Sequence, residues 1–134
     1  LRVKLKHLDS WTEMRRANAE YYTRRITELG LADSCVVPPK VAYERHVHNQ
    51  YVILAENRGG LRAFLADNGV ATEIYYPKCL HLQDCVMDGR YSEGDFPVSE
   101  EASGRVLALP IFPELSLDQK EYVVNKIREF YSKD

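Results

Sequence analysis

No stretch of this sequence approaches the ~20 consecutive apolar residues needed to cross a bilayer. Its first residues, LRVKLKHLDSW, alternate charge with leucine where a signal peptide would carry an unbroken apolar segment. Membrane association and export are set aside, and a soluble cytoplasmic protein is expected. Cysteine is scarce: Cys35, Cys79 and Cys85 are an odd number, too few for a disulfide framework, and read as thiols in a reducing compartment. Neither sign of charge dominates. With 18 basic against 20 acidic side chains in 134 residues, there is no basic stripe to track nucleic acid.

Several catalytic and binding motifs are missing as well. Without GxGxxG or GxxxxGK[ST] there is no glycine-rich cradle for phosphates. CxxC and HExxH are also absent, so His46 and His48 of "HVH", with Cys79, His81 and Cys85, lack the spacing of the common zinc sites. No metal ligand is assigned, since histidines on strands serve more often as hydrogen-bonding partners. Nothing around Cys79 has the form of a cysteine-nucleophile signature, and it reads as an ordinary thiol. Glu100 and Glu101 are adjacent, so on a helix they project about 100° apart. They are expected to be solvated, not a catalytic pair.

What is present suits one domain: 45% hydrophobic and 28% charged residues, in a chain long enough to bury a core of its own. Leu1, Leu5, Leu8, Trp11, Met14, Ala17 and Tyr21 recur every three or four residues, and Tyr22, Ile26 and Leu29 continue the stripe to Gly30, a helix-ending residue. One continuous helix is predicted. At ~1.5 Å per residue it would run about 44 Å, long for so small a domain. It begins with neither a methionine nor a capping residue, which reads as a piece of a longer polypeptide.

LADSCVVPPK follows as a connector, because Pro38 and Pro39 forbid helix. VAYERHVHNQYVILA reads as a strand, with His46, His48, Gln50, Val52 and Leu54 on one face and Val47, Asn49, Tyr51, Ile53 and Ala55 on the other. Asn57 caps a short helix burying Leu61, Phe64 and Leu65 and ended by Gly69. VATEIYY reads as a second strand, stopped by Pro77, and RVLALPIFP as a third, stopped by Pro110 and Pro113. Ser116 and Gln119 form a capping box for a last helix whose Val123, Val124, Ile127, Phe130 and Tyr131 face inward. Pro77 to Gly104 is too long for a plain loop, and Pro97 and Ser99 with the acidic residues after them mark a helix start within it. The fold class is α/β, helices packed on a sheet of roughly three strands.

The strings HVHNQYVI, LRAFLADNGVATEIYYPKCLHLQ, EGDFPVSEEA and VLALPIFPELSLDQKEYVVNKIREF, in that order, resemble the C-terminal part of the DegT/DnrJ/EryC1/StrS sugar aminotransferases. The resemblance covers nearly the whole chain. It implies the small C-terminal domain of the type I pyridoxal-phosphate fold, that of aspartate aminotransferase, with a three-stranded antiparallel sheet. Residues 1–30 would be the helix joining the large and small domains and residues 31–134 the small domain, with the large cofactor-binding domain outside this chain. The family's cofactor is pyridoxal 5'-phosphate, held by a large-domain lysine that nothing here matches, so this fragment alone is expected to be inactive. The implied substrates are a nucleotide-linked keto-sugar and an amino donor, glutamate in the family, and the implied assembly is a homodimer. The YYPKCLH edge resembles the segment facing the sugar nucleotide, which makes His81, Tyr75 and Tyr76 the candidate substrate-binding residues. Tyr75 and Tyr76 alternate on their strand, so one is expected to face the cleft while the other packs. Two positions depart from the family: Leu54, where an arginine is frequent, and Gly59, where an acidic residue is frequent. The rival reading is a stand-alone small-ligand-binding or regulatory module, since fold does not set function. The two differ in that the aminotransferase reading leaves an apolar surface on the long helix for the large domain to cover.

Overall fold

The computed structural model of the chain describes residues 2–42, 45–86 and 89–132. Its first turn of helix, α1 (Arg2–Leu5), buries no side chain. The continuous helix read from the sequence breaks at Lys6 and His7, where the His7 N–H donates to the Lys4 carbonyl at 3.0 Å. Helix α2 (Leu8–Glu28) restarts there. It ends as predicted, with Gly30 at φ 70° and its N–H donating to the Thr27 carbonyl at 2.9 Å.

The buried face of α2 keeps only the C-terminal part of the predicted stripe, Tyr22 and Ile26, with Tyr21 and Leu29 packed beside them. Thr12, Asn18, Ala19, Tyr22 and Ile26 are buried, whereas Leu5 and Leu8 remain 57% and 50% exposed and Met14 is exposed too. Leu1, the first residue of that stripe, lies outside the described residues. Only the second half of the helix enters the core.

Three antiparallel strands form the sheet, in the order β1 (Val36–Val37), β2 (Tyr51–Ala55), β3 (Val106–Leu109). An antiparallel sheet of three was expected, but its members differ. β1 comes from the segment read as a connector; it is only two residues long, next to the two prolines. The strand predicted through the histidines shrinks to β2. His48 adopts φ 45°, which breaks the extended run. Segment 45–48 is tied to α2 instead, by Arg15 Nε donating to the Val47 carbonyl at 3.0 Å and Arg45 pairing with Asp9 at 2.9 Å. Tyr43 and Glu44 of that predicted strand lie outside the described residues. Within β2 the alternation holds: Tyr51, Ile53 and Ala55 are buried and Val52 and Leu54 partly so. The strand predicted over VATEIYY reduces to one bridge, Glu73 with Ala108.

Helices α2, α3 (Arg58–Asp67) and α5 (Leu117–Tyr131) close over one sheet face. Tyr22, Ile26, Leu61, Leu65, Val124 and Ile127 pack there with Tyr51, Ile53 and Leu107, each large aliphatic side chain contributing ~1.5–3 kcal/mol of burial. Val52 and Ala108 pair on the opposite face, beside α4 (Pro97–Arg105), which runs directly into β3. Pro97 occupies the first turn of α4, and Ser116 and Gln119 make the predicted capping box of α5.

Asn57 caps α3 by accepting the Gly60 N–H at 3.2 Å. A Cβ on Gly60 would sit 2.7 Å from the Asn57 side-chain nitrogen, so alanine there must displace the cap. Gly60→Ala should gain ~1 kcal/mol of helix propensity and lose ~1 kcal/mol of capping, a net change near zero. In an Asn57→Gly background, where the cap is already gone and the left-handed backbone at 57 is relieved, the same change should stabilise by ~1 kcal/mol. Urea denaturation of the four variants tests this; equal effects in both backgrounds would contradict the clash.

Candidate functional site

Beyond the Glu73–Ala108 bridge the chain leaves the sheet and passes through Ile74, Tyr75, Tyr76 and Pro77 into a tight helical turn at Leu80–Leu82. A cavity of about 420 Å³ opens here. Its floor is Val52 with Val106, Leu107 and Ala108, one wall is Glu73–Tyr76 with Lys78, Cys79 and Leu80, and the other is Ser99, Ala102 and Ser103 of α4. Tyr75 is 49% and Tyr76 76% exposed. Neither packs in the core, contrary to the expectation that one would: without a strand at 74–76 the two-residue alternation does not operate. Both line the cavity with their phenol rings in reach of solvent.

Cys79 is buried and accepts a hydrogen bond from Ser99 Oγ at 3.5 Å, which makes it part of the packing between the turn and α4. Lys78 pairs with Asp84 at 2.9 Å, and that ammonium holds the Asp84 carboxyl below its ordinary value.

His81 stands on the other side of the same turn and does not line the cavity. Its ring packs on Phe96 with centroids 4.8 Å apart, and Phe96 meets the edge of Tyr91 at 5.3 Å. Only 9% of the His81 side chain is exposed, and its Nε2 lies 2.9 Å from Glu100 Oε1. Glu100 is thus not simply solvated, as the sequence suggested. Its carboxylate also accepts the Gly94 N–H at 2.9 Å and the Phe96 N–H at 3.2 Å. The Gly94 amide, then the Phe96 amide and His81, hold its pKa below the ordinary carboxylate value against the opposing effect of burial. Stability from this depressed pKa is present above the ordinary carboxylate range and is lost as pH falls through the lowered value. Glu101 does project outward, pairing with Arg105 at 2.7 Å.

From sequence, Glu100 reads as solvated and Phe96 does not stand out. The available signal was local: after a proline in the first helical turn, a carboxylate a few residues on can reach back to the amides before the helix.

The HVH pair forms a separate group. The His48 N–H donates to His46 Nδ1 at 3.1 Å and the rings lie 4.2 Å apart. His48 is buried, its Nδ1 has no partner, and burial, then His46, Arg16 and Arg15, press its pKa down. Among the described residues no group of three or more His, Cys, Asp or Glu side chains is placed to hold a metal, and no helix is long and apolar enough to cross a membrane.

An antiparallel three-stranded sheet under helices, preceded by a long helix, is also found in solved fold type I aminotransferases. The match to one from Brucella abortus has a TM-score of 0.85 at 34% identity, over 97% of this chain and 34% of that one. The match to the NtdA structure from Bacillus subtilis, which has the cofactor PMP bound, has a TM-score of 0.82 at 26% identity, over 95% of this chain and 30% of that one. The chain belongs to the DegT/DnrJ/EryC1/StrS aminotransferase family, whose model matches residues 1–128. Among curated relatives, the pleiotropic regulatory protein of Geobacillus stearothermophilus is 48% identical over 98% of this chain and 35% of its own length. The erythromycin biosynthesis sensory transduction protein EryC1 of Saccharopolyspora erythraea is 37% identical over 96% of this chain and 34% of its own length. The UDP-N-acetyl-3-dehydro-alpha-D-glucosamine 3-aminotransferase of Acidithiobacillus ferrooxidans is 33% identical, over 96% and 33% respectively. The chain spans about a third of the length of the curated relatives it matches.

Proposed function

We propose that this chain forms the substrate-side wall of a pyridoxal-phosphate-dependent aminotransferase, a cytoplasmic homodimer that passes an amino group from glutamate to a nucleotide-linked keto-sugar. The observation that carries the reading is the Tyr75–His81 segment. It places two exposed phenols beside an apolar-floored cavity rimmed by hydroxyls and a lysine, and just beyond them a histidine fixed by a carboxylate. Aromatic faces with a few convergent polar groups suit a sugar nucleotide. Tyr75 and Tyr76 would meet it from the cavity side of the turn, and His81 from the other side.

The cofactor lysine is assigned, in this reading, to a large domain outside residues 1–134, and the chain alone should be inactive. Supporting this, Lys78 is tied to Asp84, Lys120 to Asn18 at 2.7 Å and Lys126 to Glu129 at 2.8 Å, and Lys4, Lys6 and Lys40 are exposed away from the cavity. In this reading residues 1–30 join the two domains, and the exposed Leu5, Leu8 and Met14 are covered by the large one, each giving up apolar surface to it.

The test is the full-length polypeptide carrying this chain, incubated with pyridoxal phosphate, glutamate and a panel of dTDP- and UDP-linked 3-keto and 4-keto hexoses. Mass spectrometry should show one or more converted to the amino sugar; conversion of none would sink the reading. The names of two relatives favour a second reading, a regulatory module. It predicts changes in transcript levels on deletion of the gene that a transamination-dead variant fully restores.

A further inference from the structure

We propose that Glu100 is a positioning residue for His81: it fixes the ring and dedicates one nitrogen to the protein, so that substrate meets the other. This rests on the reading of His81 as a substrate contact. His81 belongs to the turn after the Tyr75–Tyr76 edge and Glu100 to α4, and the two meet at 2.9 Å between Nε2 and Oε1. A carboxylate can only accept, so the Nε2 position carries the hydrogen and a neutral His81 has its lone pair on Nδ1. The ring is then an acceptor toward a sugar hydroxyl through Nδ1, and becomes a second donor, suited to a phosphate oxygen, only when protonated.

The carboxylate is itself held in place. Oε2 takes the Gly94 N–H at 2.9 Å, while Oε1 takes the Phe96 N–H at 3.2 Å. Phe96 in turn covers the His81 ring at 4.8 Å. Two backbone amides thus hold Glu100, Glu100 holds the Nε2 edge of the ring, and Phe96 packs beside it at a tilt of 57°. An imidazole with only 9% of its side chain exposed presents one edge to a ligand. Which atom occupies that edge is set by the acceptor behind it. The sequence neighbours of His81 supply none of this, because the acceptor sits 19 residues further on.

The experiment is a double-mutant cycle on the full-length polypeptide, with UDP-N-acetylglucosamine and dTDP-glucose as probes in isothermal titration calorimetry. Thermal unfolding is followed in parallel. His81→Ala alone tests the underlying reading and should weaken the better probe about ten-fold, the loss of one hydrogen bond with a charged or polar partner. Glu100→Ala should weaken it by a comparable factor, and should add nothing in the His81→Ala background. Should Glu100→Ala fail to fold, Glu100→Gln removes the charge behind the ring and keeps one oxygen, which at the Oε1 position lies within reach of both the Gly94 amide at 3.1 Å and the Phe96 amide at 3.2 Å, while its NH2 loses the second bond to Gly94. It is then expected to fold with a modestly lowered melting temperature and to weaken binding. If His81→Ala weakens binding and the Glu100 variants do not, or if their loss persists undiminished without His81, the positioning role is overturned while the substrate contact stands. If His81→Ala changes nothing, or neither probe binds the unaltered protein, the reading beneath it falls and this inference with it.

Discussion

Tyr51→Ala is expected to destabilise the protein by about 3 to 5 kcal/mol, as for other buried aromatic truncations, measured as a shift in the urea denaturation curve. Tyr51 opens the central strand with its side chain fully buried, and its ring packs against Tyr22 with centroids 5.3 Å apart. Its hydroxyl shares a hydrogen bond of 2.8 Å with Thr23 of α2, and burial pushes its pKa up to about 12. Truncation would open a void where sheet and helix meet, and leave the partly buried Thr23 hydroxyl without that partner. The phenylalanine variants divide the effect. Tyr51→Phe keeps the ring and loses only the bond to Thr23, an expected cost of about 1 kcal/mol. The Tyr22 hydroxyl, by contrast, is buried with no partner, and burial drives its pKa well above the ordinary phenol value. Tyr22→Phe removes an unsatisfied group and should be neutral or stabilising by about 1 kcal/mol. A loss from Tyr22→Phe as large as that from Tyr51→Phe would contradict the difference between these two neighbouring phenols.

The two tyrosines also mark how far the sequence could be read. Features whose cause lies within four residues were legible: Gly30 ending a helix, Asn57 reaching Gly60, Ser116 and Gln119 bonding each other's amides, Pro97 starting α4. The inward parity of Tyr51, Ile53 and Ala55 was legible too, because alternation is local. What failed depended on distant partners. The strand through the histidines stops because Arg15 and Arg45 draw segment 45–48 onto α2, a contact across 30 or more positions. VATEIYY has strand composition, but β3 offers it only the Ala108 amide and carbonyl. The stripe read over the first 30 residues holds at Tyr22 and Ile26, which are buried, but Leu5, Leu8 and Met14 stay exposed and Thr12, Asn18 and Ala19 turn inward instead. At the site, the YYPKCLH edge could be seen as chemically rich. The family resemblance gave it a task without geometry. That His81 turns away from the cavity toward Phe96 and Glu100 needed the fold.

That geometry sets the expectation for His81→Ala in the full-length polypeptide: kcat/KM for the nucleotide sugar should fall about ten- to a hundred-fold. This is the counterpart of roughly 1.5 to 3 kcal/mol for one charge-assisted hydrogen bond. The amino-donor half-reaction should be nearly unchanged, because in the proposed enzyme it uses groups outside residues 1–134, and a two-stage reaction lets each half be measured by itself. The ring also fills space between the Leu80–Leu82 turn and Phe96, so alanine removes packing along with the imidazole. His81→Gln separates the two roles. It retains much of the volume and can still bond Glu100 through its amide N–H, but it has no ring to present a nitrogen at the far edge. If substrate contact is what matters, His81→Gln should keep its melting temperature and still lose the sugar half-reaction selectively. A packing role predicts instead that alanine slows both halves together with a fall in melting temperature, and that glutamine restores both. Stopped-flow spectra of each half-reaction distinguish these outcomes, and an unaltered sugar half-reaction in both variants would remove His81 from the substrate site.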